Sequence, residues 1–428
     1  MTGPTPTTGT GFFTAPDGRL YEGWRVVTAS AVVTLMAVGS IVYGFGSIFE
    51  PLRTELGWST FVVSLGFSLR SEVGGVAAPF VGAALDRVGP RRVIRSGVLM
   101  SSLGVLALSF TTTVWWFFGS VALLAVGTTA AGGQAGNHAV ATWFRARRAR
   151  AMSMTTMGGA LAGVFAFLVA VGVDRIGWRD TLRVLAVVIA VVGLAVSRWI
   201  RARPGDHPQP VDGIATEVGH SSVAAEFDIP YRVAIATSSF RRIVGFNIVA
   251  DFGRLAYLTH LVAFVERDLG ARPIAAGAAL MVSTLASLVG RLAAGYFADR
   301  FAVQRVAALT MAPFAAGVLV LAVASEPWHA YGAAVLGGIG FGASVPVRPA
   351  MYVEFFGLAA FGRIMGLGRL ASTTGGFLGG ALFGLLVDAA AGSYGGAWLV
   401  VFAASVCSAP LVLLVRPPTE LQERHRRG

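Results

Sequence analysis

The chain has 428 residues, of which 55% are hydrophobic and only 13% charged, with a mean hydropathy of +0.68. Apolar surface on this scale cannot be hidden in one globular core, so a soluble protein is excluded and a membrane protein is implied. The net charge of +12 sits on arginines grouped in short blocks between apolar segments, not along one face, which argues against a nucleic-acid binder.

All 34 basic residues are arginine, so Schiff-base chemistry has no lysine to use. One cysteine, Cys407, lies in an apolar run, which excludes disulfides within the chain and leaves no metal cluster. No cofactor is expected.

Residues 1–20 are rich in Thr, Gly and Pro and read as a disordered tail without a cleaved signal peptide. Beyond them a span needs ~20 apolar residues, and twelve segments qualify. They run over Arg25–Phe49, Thr60–Leu85, Val93–Phe110, Val114–Ala141, Met152–Val173, Thr181–Trp199, Ile243–Val265, Ile274–Phe297, Val306–Val323, His329–Val353, Ile364–Val387 and Gly395–Leu414. The expected architecture is an all-α membrane protein of twelve transmembrane helices in two pseudo-symmetric six-helix halves. Its parts are a tail (1–20), an N-terminal bundle (21–200), a linker (201–241) that ends in a short amphipathic helix, a C-terminal bundle (242–415) and a second tail (416–428).

Arginines concentrate in alternate connections: Arg87/Arg91/Arg92/Arg95, Arg145/Arg147/Arg148/Arg150, the linker, Arg300/Arg305 and Arg363. The positive-inside rule places these connections and both termini in the cytoplasm, in a plasma or inner membrane.

An internal repeat supports two halves. Gly82-Ala-Ala-Leu-Asp86-Arg87 recurs 213 residues later as Gly295 to Asp299-Arg300, and Glu55-Leu56-Gly57 recurs as Asp268-Leu269-Gly270. The longer run Gly82-Ala-Ala-Leu-Asp86-Arg87-Val-Gly89-Pro-Arg91-Arg92 resembles the G-x-x-x-D-R-x-G-x-R-R loop of the major facilitator superfamily. Its glycine permits close helix approach, while Asp86 with Arg87 and Arg91, and Asp299 with Arg300, are expected to latch the cytoplasmic ends. The second copy is continued by Phe301 and Ala302 in place of a glycine turn, so its latch should be the weaker.

Within that superfamily three stretches resemble the monocarboxylate porters and oxalate:formate antiporters: Glu22-Gly23-Trp24, Trp143-Phe144-Arg145 leading to Gly158-Gly159, and Gly290-Arg291 to Gly295. The resemblance implies that Arg291 binds a substrate carboxylate. It also brings a departure, because Ser287 stands where those porters carry an aspartate.

Charged residues at membrane depth are costly unless paired or facing water, which makes them candidates by default. Arg291 has a planar fork suited to a carboxylate; a structural ion pair is the alternative. Asp251 and Arg254, three apart, share a helical face, so either they pair locally or Asp251 serves as a proton site. Glu72 is a second proton-site candidate, and Arg70 beside it needs a partner elsewhere. His260 reads as a hydrogen-bond donor to a carboxylate, a group that titrates near neutral pH, or a packing residue, and Arg369 as a second anion contact or a side chain that snorkels. Arg348, between Pro346 and Pro349, is expected to steady a broken helix or inner gate. Tyr43, Ser47, Ser283 and Ser287 could line a cavity. The function implied is proton-coupled symport of a small carboxylate by a monomeric carrier in the lipid bilayer; anion exchange and drug/proton antiport are the alternatives.

Overall fold

The computed structural model describes residues 20–39, 45–201, 211–213, 228–419, 421 and 423. Tyr43, nearly all of the expected N-terminal tail and most of the expected linker lie outside this set, and of Ser47 only the backbone is within it.

The described residues form α1 (Glu22–Val38), α2 (Phe45–Leu56), α3 (Thr60–Val88), α4 (Pro90–Ser109), α5 (Val114–Ala131), α6 (Gly133–Trp143), α7 (Arg148–Ala160) and α8 (Ala162–Ser197) in the N-terminal half. The C-terminal half holds α9 (Tyr231–Ala236), α10 (Ser238–Arg267), α11 (Pro273–Ala298), α12 (Val303–Ala322), α13 (Pro327–Phe356), α14 (Phe361–Ala389) and α15 (Gly395–Leu413). Nine helical stretches among the described residues are long and apolar enough to cross a membrane. The other three expected spans fall on α1, cut short by undescribed residues, on α3, which carries Arg70 and Glu72, and on α7 with the first part of α8. α9 occupies the end of the linker where a short helix is expected, and α10 starts at Ser238, ahead of the expected start of its bundle.

Helix starts follow local chemistry. Ser59, Thr113 and Thr237 accept hydrogen bonds from the backbone N–H groups of Val62, Trp116 and Phe240, filling orphan donors of α3, α5 and α10. Pro90, Pro273 and Pro327 open α4, α11 and α13, where a missing N–H costs nothing. The repeated acid-Leu-Gly signal is a chain reversal: Gly57 and Gly270 have φ of 65° and 64°, the left-handed region in which a side chain would be strained. Gly177, at φ 77°, breaks α8 into two arms, 162–176 and 178–197.

The two halves meet along α3 against α14 and α7 against α11. Small residues make this approach possible. A Cβ on Gly82 would fall on the carbonyl of Gly362, and one on Gly295 would stand 2.6 Å from Ser153 Cβ.

Candidate functional site

Two groups of charged side chains stand out, one at the arginine-rich end of the bundle and one within it.

At the arginine-rich end, Asp86 closes α3 and accepts hydrogen bonds from the N–H groups of Gly362 (2.7 Å) and Arg363 (3.1 Å) and from Arg363 Nε (3.1 Å). Asp299, 213 residues on, accepts from the N–H groups of Ala149 (2.7 Å) and Arg150 (3.3 Å) and from Arg150 Nε (2.8 Å). Each carboxylate therefore sits on the N-terminus of a helix in the opposite half, α14 or α7. There the unpaired N–H groups and the helix dipole both favour negative charge.

The expected latch partners need correction. Arg87 is exposed and makes no ion pair among the described residues, Arg300 lies over the Tyr296 ring at 3.6 Å, and Arg91 stands near Arg95 and Arg201, which repel it. Arg363 and Arg150 fill the role instead, because a motif arginine beside its aspartate on the same helix end points elsewhere. Nor is the second copy poorer, since its three bonds match those of the first donor for donor. Arg150 and Arg363 are themselves 213 residues apart, so the repeat carried a signal for this pairing.

Two linker residues add to the pattern. Asp212 accepts from the N–H groups of Arg145 and Ala146, and Asp228 from those of Leu358 and Ala359. These are again equivalent loop positions, just ahead of α7 and α14.

Within the bundle, Asp251 on α10 is the hub. Arg348 on α13 donates to it through both terminal nitrogens, at 2.7 and 2.9 Å, and Arg254 forms an ion pair with it at 2.7 Å. The expected Asp251–Arg254 pair is present, but the bidentate partner is Arg348. Arg254 is 4% exposed and also donates to Ser344 Oγ and to the carbonyl of Ala250. Arg369 on α14 lies among other helices within reach of the charges of Asp251 and Arg348, yet its guanidinium makes no hydrogen bond or ion pair among the described residues, and the residue as a whole keeps accessible surface. It lies eight residues, about 12 Å, inside its helix.

The remaining candidates are placed as follows. Arg291 is 7% exposed and donates at 2.6 Å to the carbonyl of Thr156 on α7, while Ser153 donates to the Arg291 carbonyl. It is thus engaged with the α7 backbone across the two halves. Ser287 is 1% exposed, donates to the Thr284 carbonyl and backs onto Gly342 of α13, so it offers no face to a substrate. Ser283 is likewise buried and is hydrogen-bonded to Tyr257. His260 bonds the Gly380 carbonyl through Nε2 and stacks on Phe383 at 4.5 Å, the contacts of a packing residue. Glu72 is half-buried and has no hydrogen bond or ion pair among the described residues.

Known proteins resemble this chain along most of its length. The rat protein named Monocarboxylate transporter 13 is 26% identical over 394 residues, covering 90% of this chain and 86% of that one. The Gentisate transporter of Corynebacterium glutamicum is 24% identical over 351 residues, covering 79% and 76%. In fold, the fucose:proton symporter of E. coli superposes with a TM-score of 0.70 over 92% of this chain and 99% of that one, at 15% sequence identity. The Major Facilitator Superfamily model matches residues 30–244 and again 243–428, once for each half of the repeat. The helical halves, the doubled Gly-x-x-x-Asp contact between them and this match agree, and the chain is a multi-pass membrane transporter that belongs to the Major Facilitator Superfamily.

Proposed function

We propose that the protein carries a small organic anion bearing one or two carboxylates by alternating access, with Arg369 as its accessible anion contact. The carrying observation is that arginine, accessible as a residue and without a hydrogen-bond or ion-pair partner among the described residues at membrane depth, where a lone charge is costly. Near it stand Arg70 and Arg348, with Arg348 and Arg254 both on Asp251, a surplus of positive charge that favours an anion and disfavours a lipophilic cation. Relatives named for monocarboxylates and for gentisate support the same substrate class.

Arg291 becomes a second contact in this reading once the α7–α11 interface parts and releases it from Thr156. The arginine-rich end and both termini face the cytoplasm. Proton symport is the first coupling mode, with Glu72 and Asp251 as its acids. Anion exchange is the second, favoured by the occupation of Asp251 by two arginines, Arg348 and Arg254, whose ion pairs already engage both carboxylate oxygens.

Uptake of a panel of mono- and dicarboxylates into proteoliposomes tests the proposal. Arg369→Gln should lower carboxylate uptake at least ten-fold, about 1.4 kcal/mol of lost charge-assisted bonding. Arg291→Ala should do the same. Unchanged carboxylate uptake in both variants would remove the anion reading, and uptake driven by a counter-anion but not by a pH gradient would decide for exchange.

A further inference from the structure

The outer face of the N-terminal half carries a groove of about 390 Å³ that the transport reading does not use. It is lined by Leu20, Trp24, Val27, Thr28 and Ala31 of the α1 segment, by Met154 of α7, and by Arg25 and Trp199 at its mouth. The α1 residues recur every three or four positions, so they form one stripe about 16 Å long. Its inner end is shut where Gly158 packs on the carbonyl of Ala31. The mouth opens at the arginine-rich end, where Trp199 is 50% exposed.

The charge around the mouth is one-sided. Arg25 has a side chain that is 53% exposed and touches Glu22 only at 3.5 Å, and Arg201 pairs with the same glutamate at 3.3 Å. Arg198 is exposed next to Trp199, and Arg95 bonds Ser197 just before it. Four arginines thus gather at this end of the groove, two of them on Glu22. Indole rings and arginines at the edge of an apolar channel match the layered chemistry of a phospholipid, with its acyl chain, carbonyl region and phosphate.

We propose that this groove binds one anionic phospholipid, its acyl chain lying along α1 between Val27 and Met154 and its phosphate held by Arg25 and Arg201. The occupant is an anionic lipid and not a zwitterionic one, because among the described residues the rim offers several cations and only Glu22 to receive an amine.

Native mass spectrometry of the purified full chain, titrated with phosphatidylglycerol or phosphatidylcholine, tests this. Wild type should retain one phosphatidylglycerol and discriminate against phosphatidylcholine. Arg25→Gln with Arg201→Gln should weaken retention roughly five-fold per arginine, while Arg92→Gln, exposed at the same end but off the groove, should bind as wild type. Thr28→Trp fills the channel without altering charge and should abolish retention, which separates lost binding from lost folding. Equal retention of both lipids, or retention unchanged in Thr28→Trp, would overturn the proposal. Displacement of the lipid by glycerol phosphate at equal concentration would also overturn it, since the site would then belong to a soluble phosphate.

Discussion

The cluster at Asp251 places three arginines around one carboxylate, and the physics of burial makes that carboxylate structurally expensive to lose. Arg254 is almost fully buried, and without Asp251 its charge would have only neutral partners among the described residues. Removing one member of a buried ion pair costs about 3–5 kcal/mol, so Asp251→Asn should depress thermal stability sharply in detergent, by more than Arg348→Gln, whose side chain is 17% exposed. Equal melting temperatures for Asp251→Asn and wild type would show that the cluster contributes nothing. The sequence exposed Asp251 and Arg254 as a pair because three residues is one helical turn. It could not expose Arg348, which is 97 residues away and reaches Asp251 only through helix packing. Ser287 failed for the complementary reason: a small hydroxyl carries no signal that tells a solvent face from a helix contact.

At the scale of elements, the doubled motif works as two fasteners, α3 onto α14 and α11 onto α7. Each combines a backbone contact with a carboxylate on a helix N-terminus. The glycine and the aspartate make separable contributions. Gly82→Leu would drive a side chain into the carbonyl of Gly362, so that end could not close at all; Asp86→Asn weakens the closed form by about 1–2 kcal/mol, the range of a charged cap. A cysteine at Gln134, which donates to the Gly362 carbonyl and is 8% exposed, would report the difference in a Cys407→Ser background. Its alkylation by a maleimide should be fastest in Gly82→Leu, intermediate in Asp86→Asn and slow in the parent. Equal rates in all three would mean that the motif does not hold this end shut. Most helices were legible as elements, because apolar length and N-caps are local signals. The break at Gly132 was not, since a glycine in an apolar run looks the same whether or not the helix continues.

Over the whole molecule, the 213-residue repeat was the most informative feature of the sequence, and its reach exceeded the reading made of it. It gave two halves at once, but it also linked Asp86 with Asp299 and Arg150 with Arg363, and those four residues cross the halves in the folded chain. The charge surplus within the bundle was legible too, while the choice of Arg369 as the accessible cation depended on seeing which arginines were already engaged.

One consequence of the paired fasteners concerns the shape of the opening movement. Fasteners of equal make on either side of a pseudo-dyad behave like a door hung on two identical bolts. With one bolt drawn, the leaf can swing only about the other; with both drawn, it comes away squarely. We therefore expect Asp86→Asn and Asp299→Asn to yield two mirror-related skewed openings, and the double variant a wide symmetric one. Spin-label distances measured across each seam should resolve the three shapes; identical distance distributions in the single variants would dismiss the idea.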